Sequence, residues 1–279
     1  MWINALATIN NGFTPQRWIS LWPCDAAGVA FVISALFMIL AAPASGQSLP
    51  AFQWMQELDG SGLAYQFAGL GTDAQGNVYV SGSTKSPTFP VKAALQDHLA
   101  SAGSYDVFIT KLYLAGNIVY STYFGGSAND ICRAMTVDAA GNVYVTGSTA
   151  SQDFPTTRES WAPSMPPPLA SNLADSSAYE GAIFVLRLNP DGSLGYSTYF
   201  TSNSTPAVAE SIAVDSSGAV YFTGVTFGGI PATPGAYRTV CGCASLPGLG
   251  FTIPTADAFL AKFDPSGSKL EYATYLGTS

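Results

Sequence analysis

The side chains able to do chemistry in this chain are few: one histidine, four cysteines and 18 acidic residues. His98 stands in a stretch with no serine or cysteine motif around it. A general base needs a partner within hydrogen-bond reach of the proton it takes, so an isolated loop histidine reads as a solvated side chain. No HExxH, GxSxG or phosphate loop occurs. Cys24 lies in the leading segment, which leaves Cys132, Cys241 and Cys243, an odd number and no disulfide framework. Cys241 and Cys243 flank one glycine, too few and too close for a four-ligand zinc site. They read as an ordinary loop, with a local oxidised pair as the alternative. Asp73, Asp138 and Asp215 recur at a regular place and would be the candidates for a ring of metal ligands. Each already has a turn to cap, so neither a metal nor a cofactor is expected. Trp161 and the tyrosines could stack on sugars, but most tyrosines fall where strands need them. No catalytic set follows from any of these residues.

The elements that must position them are strands. Charged residues make up 10% of the 279-residue chain, against about 25% in an ordinary domain. The 28 glycines, 18 prolines, 16 phenylalanines and 14 tyrosines describe short apolar strands joined by tight turns, an all-β protein. With 10 basic residues, a net charge of -8 and no basic cluster, the chain lacks the footprint that nucleic-acid binding requires. Near the N-terminus, Arg17 precedes the apolar run AAGVAFVISALFMILAA, which ends in the small-residue stretch PASGQ. Residues 1–46 therefore read as a signal peptide cut near Ala44 or Gly46, or as an uncleaved anchor, since the run just reaches the length of a spanning helix. Either route exports the remainder of the chain to the periplasm, the cell surface or the medium, with membrane contact through this segment alone.

The remainder is repetitive. A ten-residue block appears as DAQGNVYVSG from Asp73, DAAGNVYVTG from Asp138 and DSSGAVYFTG from Asp215. In each, the aspartate can cap the backbone two residues on, and Gly76, Gly141 or Gly218 takes the positive φ of the turn. After the block come DVFITKL, GAIFVLRL and DAFLAKF, then YSTYFGG, YSTYF and YATYLG, each behind a glycine turn. Every unit is thus a four-stranded antiparallel meander. Its strands are nearly continuous apolar runs, which predicts sheets covered on both faces.

Copies of such a sheet cover each other in a β-propeller. The order IAVD, D-x-x-GN-x-YVTG-x-T, FP, D-x-F-x-x-K and YSTY-x-GGS resembles the seven-bladed β-propeller (SBBP) repeat of exported and cell-surface bacterial proteins, over roughly residues 52–279. The resemblance implies an array of about three blades, near 66–126, 127–203 and 204–279. Two departures stand out: FAGLGTD from Phe67 in place of IAVD, which predicts a weak inner strand, and IPATPGAY from Ile230 in place of FP. Residues 47–65 read as a lone outer strand and linker, with FQWMQELDGSG from Phe52 matching a closing block.

Three units are too few for a ring. The expectation is an incomplete propeller, either cut short at Ser279 or self-associating through open end blades. The long, divergent loops 84–105, 149–179 and 226–256 share one face and are where binding would sit. The expected role is a non-enzymatic binding or scaffold module for a protein or polysaccharide. The alternative is a fragment of an extracellular propeller enzyme, of lyase or hydrolase type, whose active-site blades are missing.

Overall fold

The apolar runs of the repeats become strands, and the central strands of the first two sheets hide both of their faces. The computed structural model describes Leu58 and residues 65–165, 181–200, 207–243, 245–247 and 252–277. The signal segment and, apart from Leu58, the Phe52–Gly62 stretch lie outside the described residues. The first sheet runs β1 (Tyr65–Thr72), β2 (Val78–Thr84), β3 (Asp106–Leu112) and β4 (Ile118–Phe124). The second runs β5 (Asp130–Val137), β6 (Val143–Thr149), β7 (Ala182–Leu188) and β8 (Leu194–Phe200). The third takes β9 (Ala207–Val214) and β10 (Val220–Thr226), passes through a small hairpin, β11 (Ser245–Pro247) and β12 (Thr252–Pro254), and ends with β13 (Asp257–Phe263) and β14 (Leu270–Leu276). All three four-stranded sheets are antiparallel meanders in sequence order, and they are not closed into a ring. Among the described residues no helix is long and apolar enough to cross a membrane.

Burial follows from stacking. β2, β3 and β6 are buried at every position and β7 everywhere but Arg187, whereas β13 alternates between buried and partly open positions. An alternating pattern is what a sheet with one free face shows. The inner strands β1, β5 and β9 carry the contacts between successive sheets.

The sheets are also keyed to one another. Tyr120 in β4 lies beneath the β7–β8 turn, where a Cβ on Gly192 would stand 2.9 Å from its ring. Tyr196 in β8 lies in the same way beneath Gly267 of the third sheet, closer still. Beside each tyrosine a cation crosses the gap. The Lys111 ammonium donates to the Pro190 carbonyl at 3.0 Å and the Arg187 guanidinium to the Pro265 carbonyl at 3.3 Å. Both also sit over tyrosine rings, Lys111 5.1 Å from Tyr79 and Arg187 5.6 Å from Tyr196. In the third sheet the counterparts differ: Tyr272 is partly exposed and Lys262 pairs with Glu271 at 2.9 Å.

Each long loop begins by closing the outer edge of its own sheet. Lys92 and Ser121 exchange backbone hydrogen bonds, and Tyr123 donates to Gln96. Thr157 and Ala162 bond to β8, and Thr233 and Arg238 to β14, in the same register. An exposed strand edge invites unwanted pairing, and these segments remove it. The aromatic of the FP motif seals the junction: Phe89 and Phe154 are buried, and their rings lie 4.6 and 4.7 Å from Phe108 and Phe184. Ile230 fills the same place in the third sheet, its N–H donating to the Tyr275 hydroxyl as Phe89 does to Tyr123.

The weak inner strand expected from FAGLGTD is instead eight residues long and paired with β2 at every position except a bulge at Ala68. Its glycines serve packing. A Cβ on Gly69 would collide with the Met135 Cβ of β5, so side chains that suit the other inner strands would push the sheets apart here.

Gly267→Ala should therefore cost about 2–4 kcal/mol, since φ is +69° and the Tyr196 ring fills the added volume. Gly235→Ala, at φ +81° with open space around it, should cost only about 1 kcal/mol. Urea unfolding of the two variants measures the difference.

Candidate functional site

A four-stranded meander has two ends. Short turns occupy one, and the long loops share the other with the connections between sheets. The repeated aspartates sit at the turn end. Asp73 Oδ1 accepts from the N–H groups of Gln75 (3.0 Å) and Asn77 (2.9 Å), and Oδ2 from the Asn77 amide and the Tyr79 hydroxyl. Burial opposes ionisation of Asp73, yet the bonds from Asn77, Tyr79 and Gln75 outweigh it and hold the carboxyl below its usual range. Asp138 caps Ala140, Asn142 and Tyr144 alike, and Asp215 caps Ser217, Ala219 and Tyr221. Gly76, Gly141 and Gly218 have φ of 78°, 88° and 87°. These carboxylates are spent on turns.

A second carboxylate pair, not singled out by the sequence pattern, lies at the loop end between the first two sheets. Asp106 opens β3 and Asp130 opens β5, and both side chains are fully buried. They flank Gly125: a Cβ there would be 2.7 Å from both the Asp106 Cγ and the Asp130 Oδ2. Asp106 Oδ2 accepts from the Gln96 amide (2.8 Å) and the Ala100 N–H (2.9 Å), which ties the first long loop to the sheet. Asp130 Oδ2 accepts from the Gly126 N–H (2.6 Å) and the Ser151 hydroxyl (2.9 Å), joining the inter-sheet connection to the second loop. Ser127 adds a parallel tie through its N–H and hydroxyl to Asp153. The Oδ1 atoms of Asp106 and Asp130 have no protein hydrogen-bond partner among the described residues.

Desolvation dominates both groups. It raises Asp106 to about 6 against its bonds to Ala100 and Gln96. It raises Asp130 to about 7 against bonds from Thr149, Gly126 and Ser151, and the charge of Asp106 adds to the rise. Such a pair exchanges protons near neutrality, as general acids and bases do. Sealed from solvent, it acts on the loops that cover it.

Other candidates disperse. His98 is exposed and its Nδ1 lies 2.6 Å from the equally exposed Asp97. Trp161 is half-buried, and its ring packs against Phe200 and Phe263, 5.9 and 5.8 Å away. Cys132 is buried, its thiol pushed up to about 12 by burial. Cys241 and Cys243, whose spacing suggests an ordinary loop, form the oxidised pair instead. On the loops themselves, Val91, Leu95, Tyr237 and Val240 remain exposed, Tyr237 at 82% and Val240 at 70%.

Antiparallel four-strand sheets stacked face to face, each outermost strand leading to the next innermost one, define a β-propeller array. The family model described as "Beta-propeller repeat" (SBBP) matches residues 119–155, from β4 through β6 to the FP motif, so this stretch carries a β-propeller repeat of the SBBP type. Asp130, Ser151 and Asp153 fall inside the matched stretch, but the places equivalent to Asp130 in the first and third sheets hold Tyr65 and Ala207, so the tie is particular to this junction. No curated protein matches the chain.

The raised carboxyl groups set a pH dependence. The folded chain binds more protons than the unfolded one between about pH 4 and 7, so their contribution is complete below pH 4 and is lost as pH rises through about 6 and 7. Asp130→Asn should remove roughly 2–4 kcal/mol of that decline, seen as a flatter plot of urea midpoint against pH from 4.5 to 7.5.

Proposed function

We propose that this chain is a non-enzymatic binding or scaffold module, exported to the periplasm or cell surface, that holds a protein or polysaccharide on its loop face. The observation that carries this reading is the exposure of Tyr237 and Val240 on a loop pinned by hydrogen bonds. Arg238, between them, accepts from the Tyr275 N–H through its carbonyl, and its N–H donates to the Thr274 hydroxyl. An aromatic carried on an anchored backbone meets a partner with less loop ordering to lose, and large exposed apolar side chains on such loops mark interaction surfaces. The buried Asp106 and Asp130 support the role by fastening loops to sheets, which is what a rigid presenting surface needs. The acidic charge favours partners other than nucleic acid. Export rests on the N-terminal apolar segment.

The chain should bind a member of an array of bacterial surface polysaccharides and envelope proteins, and Tyr237→Ala with Val240→Ser should weaken that binding about tenfold or more. Binding that the double substitution leaves unchanged would place the surface elsewhere. Residues 1–65 fused to a reporter active only outside the cytoplasm should give signal in bacteria, and a silent fusion would remove export from the reading.

A further inference from the structure

The third sheet carries chemistry that its neighbours lack. In the first sheet, Asp106 at the start of β3 ties down its loop through the Ala100 N–H and the Gln96 amide. Asp257 at the start of β13 is the counterpart and is likewise buried. It holds the loop through the Gly242 N–H, at 2.6 Å, which seats the Cys-Gly-Cys turn on the carboxylate. The sulfurs of Cys241 and Cys243 and a carboxylate oxygen of Asp257 lie within 4.8 Å of one another, and the two cysteines are joined in a disulfide. The first two sheets anchor their loops without cysteines, so the fold does not require the pair.

The bridge is a poor structural staple. It joins residues two apart, and a disulfide removes less unfolded-chain entropy the shorter the loop it closes. Cys241 and Cys243 are only partly buried, unlike the inert Cys132. Two local features bear on their reactivity. The Cys243 N–H donates to the Cys241 sulfur at 3.2 Å, which stabilises negative charge on that atom. The Asp257 carboxylate beside both sulfurs disfavours a pair of thiolates and so favours the bridge.

We infer that Cys241 and Cys243 form a redox-active disulfide that exchanges with external thiols. A partner thiolate attacks the Cys243 sulfur, and the S–S electron pair passes to Cys241, which leaves as a thiolate held by the Cys243 N–H and takes up a proton. A second partner thiolate then attacks the mixed disulfide. The partner disulfide departs, and Cys243 leaves as a thiolate and is protonated. In sum, two partner thiols become one disulfide, and two electrons and two protons pass to the protein. The reaction is independent of the binding surface proposed above and has its own readout.

The test incubates the full chain with glutathione buffers of graded ratio and, in parallel, with a two-cysteine peptide at the same thiol concentration. After acid quenching, alkylation and trypsin, both cysteines lie in the single peptide 239–262, apart from Cys132. The expected result is a graded passage of that peptide from bridged to doubly alkylated, with Cys132 unmodified in the folded chain. The faster arm names the source of the thiol, small molecule or polypeptide. A bridge that survives both the most reducing glutathione buffer and the peptide overturns the proposal, and so does a dithiol that persists in the most oxidising buffer. Asp257→Asn keeps an acceptor for Gly242 but loses the charge, and should let the reduced pair alkylate about three- to tenfold faster at pH 7. An unchanged rate removes Asp257 from the mechanism and leaves the exchange itself to the wild-type titration.

Discussion

A sheet four strands wide that is apolar on both faces cannot stand in water, and the need to cover its second face organises everything else in this protein. The hydrophobic demand alone would be met by any apolar neighbour, because burial is non-directional. Direction comes from the tyrosine under the turn and the cation beside it. Tyr120 accepts only a turn with no Cβ at Gly192, and Lys111 reaches a carbonyl that the same turn presents. Tyr196, Gly267 and Arg187 repeat the arrangement one sheet later. Stacking thus becomes registered stacking. In the third sheet Tyr272 and Lys262 occupy the same places with partial exposure and a different partner.

Registered stacking divides the molecule into two ends under different constraints. At the turn end, side chains of one sheet meet the turns of the next, as Tyr79 does when its hydroxyl donates to Asp73 and to the Gly141 carbonyl. Turns there stay short and alike. At the loop end the chain first covers an outer strand edge and then wanders before entering β3, β7 or β13. That freedom is bounded by the carboxylates at the strand starts, Asp106 and Asp257, which gather loop N–H groups whatever the loop sequence. Variation and anchorage coexist there, which is why both the exposed Tyr237 and Val240 and the Cys241–Cys243 bridge are found on that end.

Much of this was legible because local chemistry recurs in the sequence. The Asp-x-x-Gly turns, the continuous apolar strands and the YSTY closing blocks each need only a few neighbouring residues to state their purpose, and three copies remove chance as an explanation. Other features were not legible, since their partners are distant in sequence. Gly69 reads as a defect in a strand until Met135 is seen against it. Gly82 and Gly147 end the YV blocks because inner-strand carbonyls, those of Gln66 and Ile131, occupy the space that a Cβ would need. Asp130 looked like one acidic residue among many before Gly125 brought Asp106 beside it.

Periodicity and turn chemistry act over a few residues, so the amino-acid order alone sufficed for the strands, the turns between them, their grouping in fours and the need for neighbours on both faces. Which groups lose their water was settled only when the sheets packed. That loss raises Asp106 and Asp130 while Asp73, in a turn rich in donors, is lowered, and it separates the sealed thiol of Cys132 from the accessible bridge of Cys241 and Cys243. Desolvation depends on everything packed around a group, and residues remote in the chain supply most of that packing.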